Sequence, residues 1–269
     1  MTFKIGQDRT QQLYSIVGRP GTRHDKQCFS EIINDGYKLV KYISKFAFKE
    51  RCPVTIIDAG AYRGYFAAWA LCALRNSDNI DESRSKIISI EANEVNFKLL
   101  EAAFRKIDIV ETRYGFCCGK STEMPTVYMT NNAGGGGTIY PASKIHMEQM
   151  QLKARRKGRC ILEVPSQLKK VVISDVVREV GHIDFMKVDI EGGEFEVVKC
   201  LFESGQIKHI DNLAMEIHGL GVKSKDDIKL FVQELKQEFG VMTPLTPAIK
   251  YGICLFSRPN CPRSRIVST

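Results

Sequence analysis

Residues 183–198, IDFMKVDIEGGEFEVV, hold the strand-to-helix transition that decides the fold. The first half is an apolar run typical of a buried strand, and a pair of glycines stops it before a helical period begins at Phe195. Period two places Lys187 and Asp189 on one face of that strand. Buried charge costs several kcal/mol unless it is paired or used. Because ligands bind at the carboxyl ends of strands in open α/β sheets, we expect the active site here.

The same alternation of strands and helices runs along most of the chain. The predicted strands are residues 54–58, 86–91, 108–114, 183–189, 212–218 and 251–257. The predicted helices are residues 30–49, 64–75, 95–106, 174–180, 194–204 and 225–239. This order predicts the α/β class, with a doubly wound, mostly parallel sheet of seven strands whose last strand is antiparallel.

Three regions are expected around this alternation. Residues 1–50 form an N-terminal extension and helix, of which residues 1–28 are loosely docked. Residues 51–258 form the main domain, interrupted at 117–170 by an insertion or lid that contains four consecutive glycines. Long irregular loops in compact domains are usually functional or disordered, so a substrate lid is the favoured interpretation. Residues 259–269 form a basic tail.

Composition indicates a cytoplasmic protein. The hydrophobic fraction of 43% and the charged fraction of 26% are ordinary for a soluble globular protein. No apolar run approaches the roughly 20 residues of a membrane span, and the first twenty residues lack the apolar core of a signal peptide. The nine cysteines form no C-x-x-C pair, which favours a reduced compartment. Cys72, Cys200 and Cys254 lie in apolar runs and are expected to be small core residues.

Positive charge is concentrated in one part of the chain. The net charge is +8, and residues 144–170 contain eight basic and two acidic residues. Localised positive charge can steer an anionic partner, which makes an anionic acceptor or RNA one alternative. A solvated helix face is the other alternative, and the two stay open. The sequence predicts no oligomeric state.

Two further motifs each contain a strand that ends in an acidic residue. In residues 56–66, IIDAGAYRGYF, a buried strand ends at Asp58, and Gly60 and Gly64 flank a tight turn into a helix. The G-x-x-x-G spacing differs from the nicotinamide pattern, and the acid suits a cofactor with a cationic amino group. Glu91 ends the next strand, where a carboxylate can accept both ribose hydroxyls of a nucleoside. The alternative for Glu91 is an acid at the N-terminus of the following helix.

These motifs together resemble the FkbM family of class I S-adenosylmethionine-dependent methyltransferases. The segments DAGAYRGYF, EANEVNFKLL, IDFMKVDIEGGEFEVVK and LAMEIHG carry the resemblance in order and spacing, over roughly residues 53–256 apart from the middle. The K-x-D-x-E-G pattern at residues 187–192 is its most specific part. Tyr62-Arg63, where a small or polar pair is more typical, and the basic 144–170 segment depart from the family.

The resemblance implies a cofactor and a reaction. S-adenosylmethionine is the implied cofactor, and its predicted contacts are Asp58, Gly60, Ala61, Tyr62, Gly64, Glu91, Ala92 and Asn93. The implied reaction is O-methylation of a hydroxyl group on a small molecule or sugar, with Asp189, Glu191 and His218 as the predicted catalytic residues. An RNA ribose or cap acceptor using residues 144–170 is an alternative. A non-catalytic adenosylmethionine-binding protein is another.

Alternation in the strand at 212–218 predicts the neighbours of these groups. Glu216 and His218 lie on one face, so we expect Glu216 to pair with Lys187 as a structural ion pair. His218 emerges at the strand end, with a reference pKa of about 6.5 that suits a general base. No metal is expected, because Asp189 and Glu191 lack a clear third ligand.

Overall fold

The structure is a computed structural model. It describes residues 2–7, 13–17, 23–34, 36–39, 51–119, 127–130, 152, 155, 161–164, 169–218, 224–245 and 253–259. The strands in these residues are, in chain order, β1 (Thr2–Gln7), β2 (Leu13–Val17), β3 (Thr55–Ala59), β4 (Lys86–Glu91), β5 (Val110–Tyr114), β6 (Phe116–Cys118), β7 (Val127–Thr130), β8 (Ile161–Val164), β9 (Lys170–Val172), β10 (Phe185–Val188), β11 (Asn212–Glu216), β12 (Val241–Pro244) and β13 (Ile253–Ser257). The α-helices are α1 (Arg23–Ile33), α2 (Tyr65–Arg75), α3 (Glu94–Phe104), α4 (Ile173–Val180), α5 (Glu194–Glu203) and α6 (Lys225–Phe239).

A seven-stranded sheet organises the molecule, in the order β12-β13-β11-β10-β3-β4-β5. The strands β5, β4, β3, β10 and β11 pair in parallel, and β13 is antiparallel to both of its neighbours. The predicted fold class is confirmed. The chain moves outward from β3 to β5 and returns to β10 on the other side of β3. The carboxyl ends of β3 and β10 therefore flank the switch point at which open α/β sheets bind ligands.

Strict alternation divides the sheet between two apolar layers. One face contributes Ile56, Ile87 and Phe185 to a core shared with α1, α2 and α3. The other contributes Ile57, Ile88 and Met186 to a core shared with α4, α5 and α6. By the same period, Lys187 shares the face of Phe185, which is the face covered by the N-terminal part of the chain.

The N-terminal region differs from its prediction. The expected helix over 30–49 is wrong at its start, because α1 spans Arg23–Ile33 and the chain then turns. Residues 40–49 of that prediction lie outside the described residues. The expectation of loose docking for residues 1–28 also fails at two positions, since Asp25 is fully buried and Ile16 is 3% exposed. The predicted start at residue 30 lies seven residues after the observed start at Arg23.

The interruption at 117–170 carries two small sheets that the sequence did not predict. In one, β6 pairs in parallel with β9, and in the other β7 and β8 form an antiparallel pair. Most of residues 120–168, including the four glycines and most of the basic segment, lies outside the described residues. The lid stays a prediction.

Two expectations about composition have structural counterparts. Cys72, Cys200 and Cys254 are buried as free thiols, as expected of small core residues. In the described part of the chain, no helix combines the length and the apolar character that crossing a bilayer requires.

Candidate active site

The loop after β3 lies against the end of β10. The backbone N–H groups of Gly60 and Ala61 both donate to the carbonyl of Ile90, at 3.0 and 2.9 Å, which ties the loop to β4. Gly60 has φ +81°, and a Cβ atom there would lie 1.7 Å from the carbonyl oxygen of Asp189. No side chain fits in that space, so glycine is required for the two loops to touch.

Glu91 is held at the tip of β4 by the backbone. Its Oε2 accepts the N–H of Tyr62 at 2.8 Å and its Oε1 accepts the N–H of Asn93 at 2.7 Å. Burial raises the pKa of Glu91 to about 7, although these two hydrogen bonds oppose the rise. The side chain of Asn93 accepts the N–H groups of Val95 and Asn96 and is the N-cap of α3. Glu91 is therefore not the cap, and each of its oxygens keeps a lone pair for a ligand.

The remaining predicted cofactor residues, Asp58, Gly64 and Ala92, each have different neighbours. Asp58 is fully buried. A Cβ atom on Gly64 would lie 2.5 Å from Phe104, so this glycine allows α2 to begin against α3. Ala92 packs against the cluster of Phe116 and Cys118. The structure thus brings Gly60, Ala61, Tyr62, Glu91 and Asn93 together at the carboxyl edge of β3 and β4.

Lys187 does not form the predicted ion pair with Glu216. Its Nζ lies 3.2 Å from Oδ1 of Asp58 and donates to the carbonyl of Gly60 at 2.9 Å. The register is the reason, because Lys187 lies opposite Asp58 on β3 and opposite Ala214 on β11. Burial raises the pKa of Asp58, and the charge of Lys187 opposes that rise. Burial alone would lower the pKa of Lys187, but the negative charges of Asp58 and Asp189 raise it.

His218 is surrounded by carboxylates. Its Nδ1 lies 2.8 Å from Oε1 of Glu194, while its Nε2 lies 3.6 Å from Glu216 and 3.7 Å from Glu191. Burial by itself would lower the pKa of His218, but the hydrogen bond and charge of Glu194 raise it to about 10. The imidazole is therefore protonated near neutral pH in this arrangement, which differs from the ordinary value expected for a general base.

Glu194 fixes the loop that carries Glu191. It is fully buried, and its carboxylate accepts the backbone N–H of Gly192 at 3.1 Å and that of Ile190 at 3.3 Å. Glu191 itself lies in the left-handed region with φ +55°. Burial raises the pKa of Glu191 to about 7, against the lowering effect of His218.

Asp189 and Glu216 lie on the same face, one pleat beyond Lys187. Oδ2 of Asp189 accepts the hydroxyl of Tyr37 at 3.1 Å and lies 3.6 Å from Nζ of Lys187. Burial, with repulsion from Glu216 and Asp189, raises the pKa of Glu31 on α1 to about 7. Burial likewise raises the pKa of Glu216, with repulsion from Asp189 adding to the rise. A cluster of carboxyl groups therefore lies at the carboxyl ends of β10 and β11.

Sequence reasoning missed the N-terminal contribution. The hydroxyl of Tyr62 donates to Oδ1 of the fully buried Asp25 at 2.6 Å, which joins α1 to the loop after β3. Tyr37 and Glu31 face the site from the same segment. No local pattern marks these residues, because their partners lie far along the chain. Glu194 had a weak signal, as an acid at the first position of a predicted helix.

Comparison with known proteins places this geometry in a family. The family model for the methyltransferase FkbM domain matches residues 58–239. The chain belongs to the FkbM methyltransferase domain family. The FkbM resemblance predicted from the motifs is confirmed, and S-adenosylmethionine is the methyl donor of this family.

Individual relatives are more distant. The methyltransferase sdnD of Sordaria araneosa is 27% identical over 166 residues, which are 55% of this chain and 60% of that relative. The chain thus matches about three fifths of the length of this relative. Fibrillarin from Aeropyrum pernix, in complex with S-adenosylmethionine, is 11% identical with a TM-score of 0.38, covering 93% of this chain and 90% of that chain. A putative methyltransferase from Streptococcus mutans, in complex with SAH, is 10% identical with a TM-score of 0.40, covering 81% of this chain and 94% of that chain.

The residues present fit the cofactor of the family. The close contact at Gly60 brings the loop after β3 against the end of β10, and Glu91 offers carboxylate lone pairs at the tip of the adjacent strand. Such an acid at the end of the second strand is suited to two ribose hydroxyls. Asp58 is enclosed beneath the loop, where it pairs with Lys187.

Proposed function

We propose that this protein catalyses S-adenosylmethionine-dependent O-methylation of a hydroxyl group on a small molecule or sugar. The observation that carries this proposal is the group of carboxylates at the carboxyl ends of β10 and β11, directly beside the cofactor loop. Asp189 contributes both its carboxylate to that group and its carbonyl to the contact with Gly60. The cofactor and acceptor sides are therefore joined through one residue.

The cofactor side has the groups that a nucleoside needs. When bound, S-adenosylmethionine supplies an electrophilic methyl group on a sulfonium. Glu91 binds the ribose hydroxyls, while the main chain at Gly60, Ala61 and Tyr62 forms one wall of the cofactor site. Lys187 and Asp58 lie beneath this loop and stabilise it, since Lys187 donates to the carbonyl of Gly60.

The acceptor side favours a neutral hydroxyl group. Carboxylates accept hydrogen bonds from hydroxyl groups, and they repel phosphate and other anions. Asp189, Glu191 and His218 are the proposed groups that orient the acceptor oxygen, and the carboxylates of Asp189 and Glu191 are the proposed acceptors of its proton. Orientation is the larger contribution to such a displacement, and proton transfer adds about 10²–10⁴-fold.

The first experiment tests the ribose assignment. We expect Glu91→Ala to weaken adenosylhomocysteine binding roughly 10- to 150-fold in isothermal titration, because one hydrogen bond to a charged group is worth about 1.5–3 kcal/mol. Since burial raises the pKa of Glu91 to about 7, wild-type affinity should also rise from pH 6 to pH 8 as the carboxylate ionises. Glu94→Ala, an exposed acid three residues on that pairs with Lys98, is the matched control. Unchanged affinity in Glu91→Ala would remove Glu91 from the cofactor site.

The second experiment tests turnover and the class of acceptor. Labelled S-adenosylmethionine is incubated with the protein and either a metabolite extract or total RNA, and products are identified by mass spectrometry. We expect label on a hydroxyl oxygen of a small molecule or sugar. Label on RNA ribose would support the alternative that uses residues 144–170, which lie mostly outside the described residues. Cofactor binding without any label transfer would support the non-catalytic alternative.

A further inference from the structure

We propose that the acceptor side of this site binds a divalent transition-metal ion through Asp189, Glu216 and His218. This inference deepens the proposed function and rests on its placement of the acceptor. It also revises the expectation of no metal, which followed from the lack of a third ligand beside Asp189 and Glu191. The tertiary structure supplies that ligand from β11 and the residues after it.

The donor atoms are already close to chelating positions. One carboxylate oxygen of Asp189, one of Glu216 and a ring nitrogen of His218 all lie within 4.8 Å of one another. Two ligands on one ion, each about 2.0–2.3 Å from it, lie at most roughly 4.0–4.6 Å apart. Small side-chain rotations therefore bring all three onto one ion. The three residues come from two adjacent parallel strands and point from one face, so a single ion satisfies them together.

An independent observation outside this ligand set concerns Glu194. This fully buried carboxylate bonds Nδ1 of His218 at 2.8 Å and is itself fixed by the N–H groups of Gly192 and Ile190. It thereby fixes the ring and leaves Nε2 3.6 Å from Glu216 and 3.7 Å from Glu191, and the ion would take the place of the Nε2 proton. Metal-binding histidines nearly always donate their second ring N–H to such a carboxylate, which sets the tautomer and orientation of the ring. Glu194 is thus a positioning residue for the proposed ion.

Lys187 does not neutralise the carboxylates that the proposed ion would bind. Nζ of Lys187 is engaged below Asp189, with the carbonyl of Gly60 at 2.9 Å and Asp58 at 3.2 Å, and it reaches Asp189 only at 3.6 Å. The carboxyl group of Glu216 lies within 4.8 Å of that of Asp189, so two carboxyl groups come together there. A divalent cation balances their charge where the acceptor must bind.

The mixed donor set selects the class of ion. Imidazole suits zinc, copper, iron or nickel, and carboxylates suit manganese, whereas sites for Mg²⁺ and Ca²⁺ are built from oxygen ligands alone. An ion at this position orients a hydroxyl oxygen of the acceptor and favours its deprotonated form. This agrees with a hydroxylated acceptor.

A second histidine with two aspartates serves as the internal comparison. Nε2 of His182 lies 2.9 Å from Asp211, and Asp184 already accepts the N–H of Thr55 at 2.7 Å. This group lies at the amino-terminal ends of β10 and β11, on the opposite edge of the sheet from the site. The side chains of His182, Asp184 and Asp211 bond one another and the backbone, and so they fix the strand ends. We therefore expect this group to bind no ion tightly.

The test is Mn²⁺ binding to the full chain after chelation, by electron paramagnetic resonance and isothermal titration. We expect one Mn²⁺ per chain, bound more tightly than Mg²⁺. His218→Ala and Glu216→Gln should abolish detectable binding, Glu194→Gln should weaken it about 10- to 100-fold, and His182→Ala should leave it unchanged. Absence of Mn²⁺ binding to the wild-type protein, or equal binding by His218→Ala, would overturn the inference.

Adenosylhomocysteine titrations on the same samples separate this inference from the proposed function. Retained adenosylhomocysteine binding shows that each variant is folded. A wild-type protein that binds adenosylhomocysteine but no Mn²⁺ overturns only the metal site. A wild-type protein that binds Mn²⁺ but no adenosylhomocysteine overturns the proposed function instead.

Discussion

Gly60 is the residue at which the cofactor loop and the acceptor strand meet. Its N–H is bonded to Ile90, and its Cα faces the carbonyl of Asp189 so closely that no Cβ fits. The sequence predicted a glycine turn at this position from the spacing after β3. It did not predict that the turn would contact Asp189, because residues 129 positions apart share no local pattern.

Replacement of this glycine tests the contact. We expect Gly60→Ala to lower the free energy of unfolding by roughly 2–5 kcal/mol, from a left-handed backbone cost of about 1–2 kcal/mol and overpacking of about 1–3 kcal/mol. Gly205→Ala is the matched control, because Gly205 also has φ above zero (+68°) but a Cβ there meets nothing within 4 Å. The control should lose only the backbone cost. Equal losses in urea unfolding would show that the contact with Asp189 carries no energetic weight.

Among the elements, α1 has a role that its sequence does not reveal. It lies on the face of the sheet that bears Lys187 and Asp189, and the hydroxyl of Tyr62 fastens it to the cofactor loop through Asp25. The segment that follows α1 adds the hydrogen bond from Tyr37 to Asp189. The N-terminal region is therefore part of the site wall as well as an extension of the domain.

The link between α1 and the cofactor loop is testable by one hydroxyl deletion. We expect Tyr62→Phe to lower the free energy of unfolding by about 1.5–3 kcal/mol, because a hydrogen bond to a charged, buried carboxylate is lost. Tyr114→Phe is the control, since among the described residues the structure shows no hydrogen bond from that hydroxyl. Urea denaturation of both variants measures the difference. Equal stability of the two variants would mean that α1 is held by apolar packing alone.

In the molecule as a whole, clusters of ionisable side chains lie at both edges of the central sheet. The carboxyl edge gathers the carboxylates of the site, while the amino edge of β10 and β11 contains His182 beside Asp184 and Asp211. Hydrogen bonding and charge from Asp184 and Asp211 raise the pKa of His182 from 6.5 to about 9. This group joins the starts of two central strands, so its protonation is coupled to global stability.

The expected pH dependence follows from the direction of that shift. A histidine whose pKa is raised on folding adds stability that is fully present below about pH 6.5 and is lost as pH rises through about 9. Thermal unfolding should therefore show a fall in Tm between pH 7 and pH 10 that is smaller in His182→Gln. His209→Gln, on the same edge, is the control and should behave as the wild type. A fall of the same size in His182→Gln would exclude this histidine as the cause.

The sequence by itself determined the sheet, its cofactor edge and the face of each strand. Alternating apolar residues gave the period, and acids and glycines at strand ends gave the position of Glu91, Gly60 and Asp189. Register decided the rest, because a period of two shows which face a residue lies on but not which residue lies opposite. Lys187 therefore pairs with Asp58 rather than Glu216. The contacts of Tyr37 with Asp189 and of Glu194 with His218 were decided only by the tertiary structure, which joins segments that no local periodicity relates.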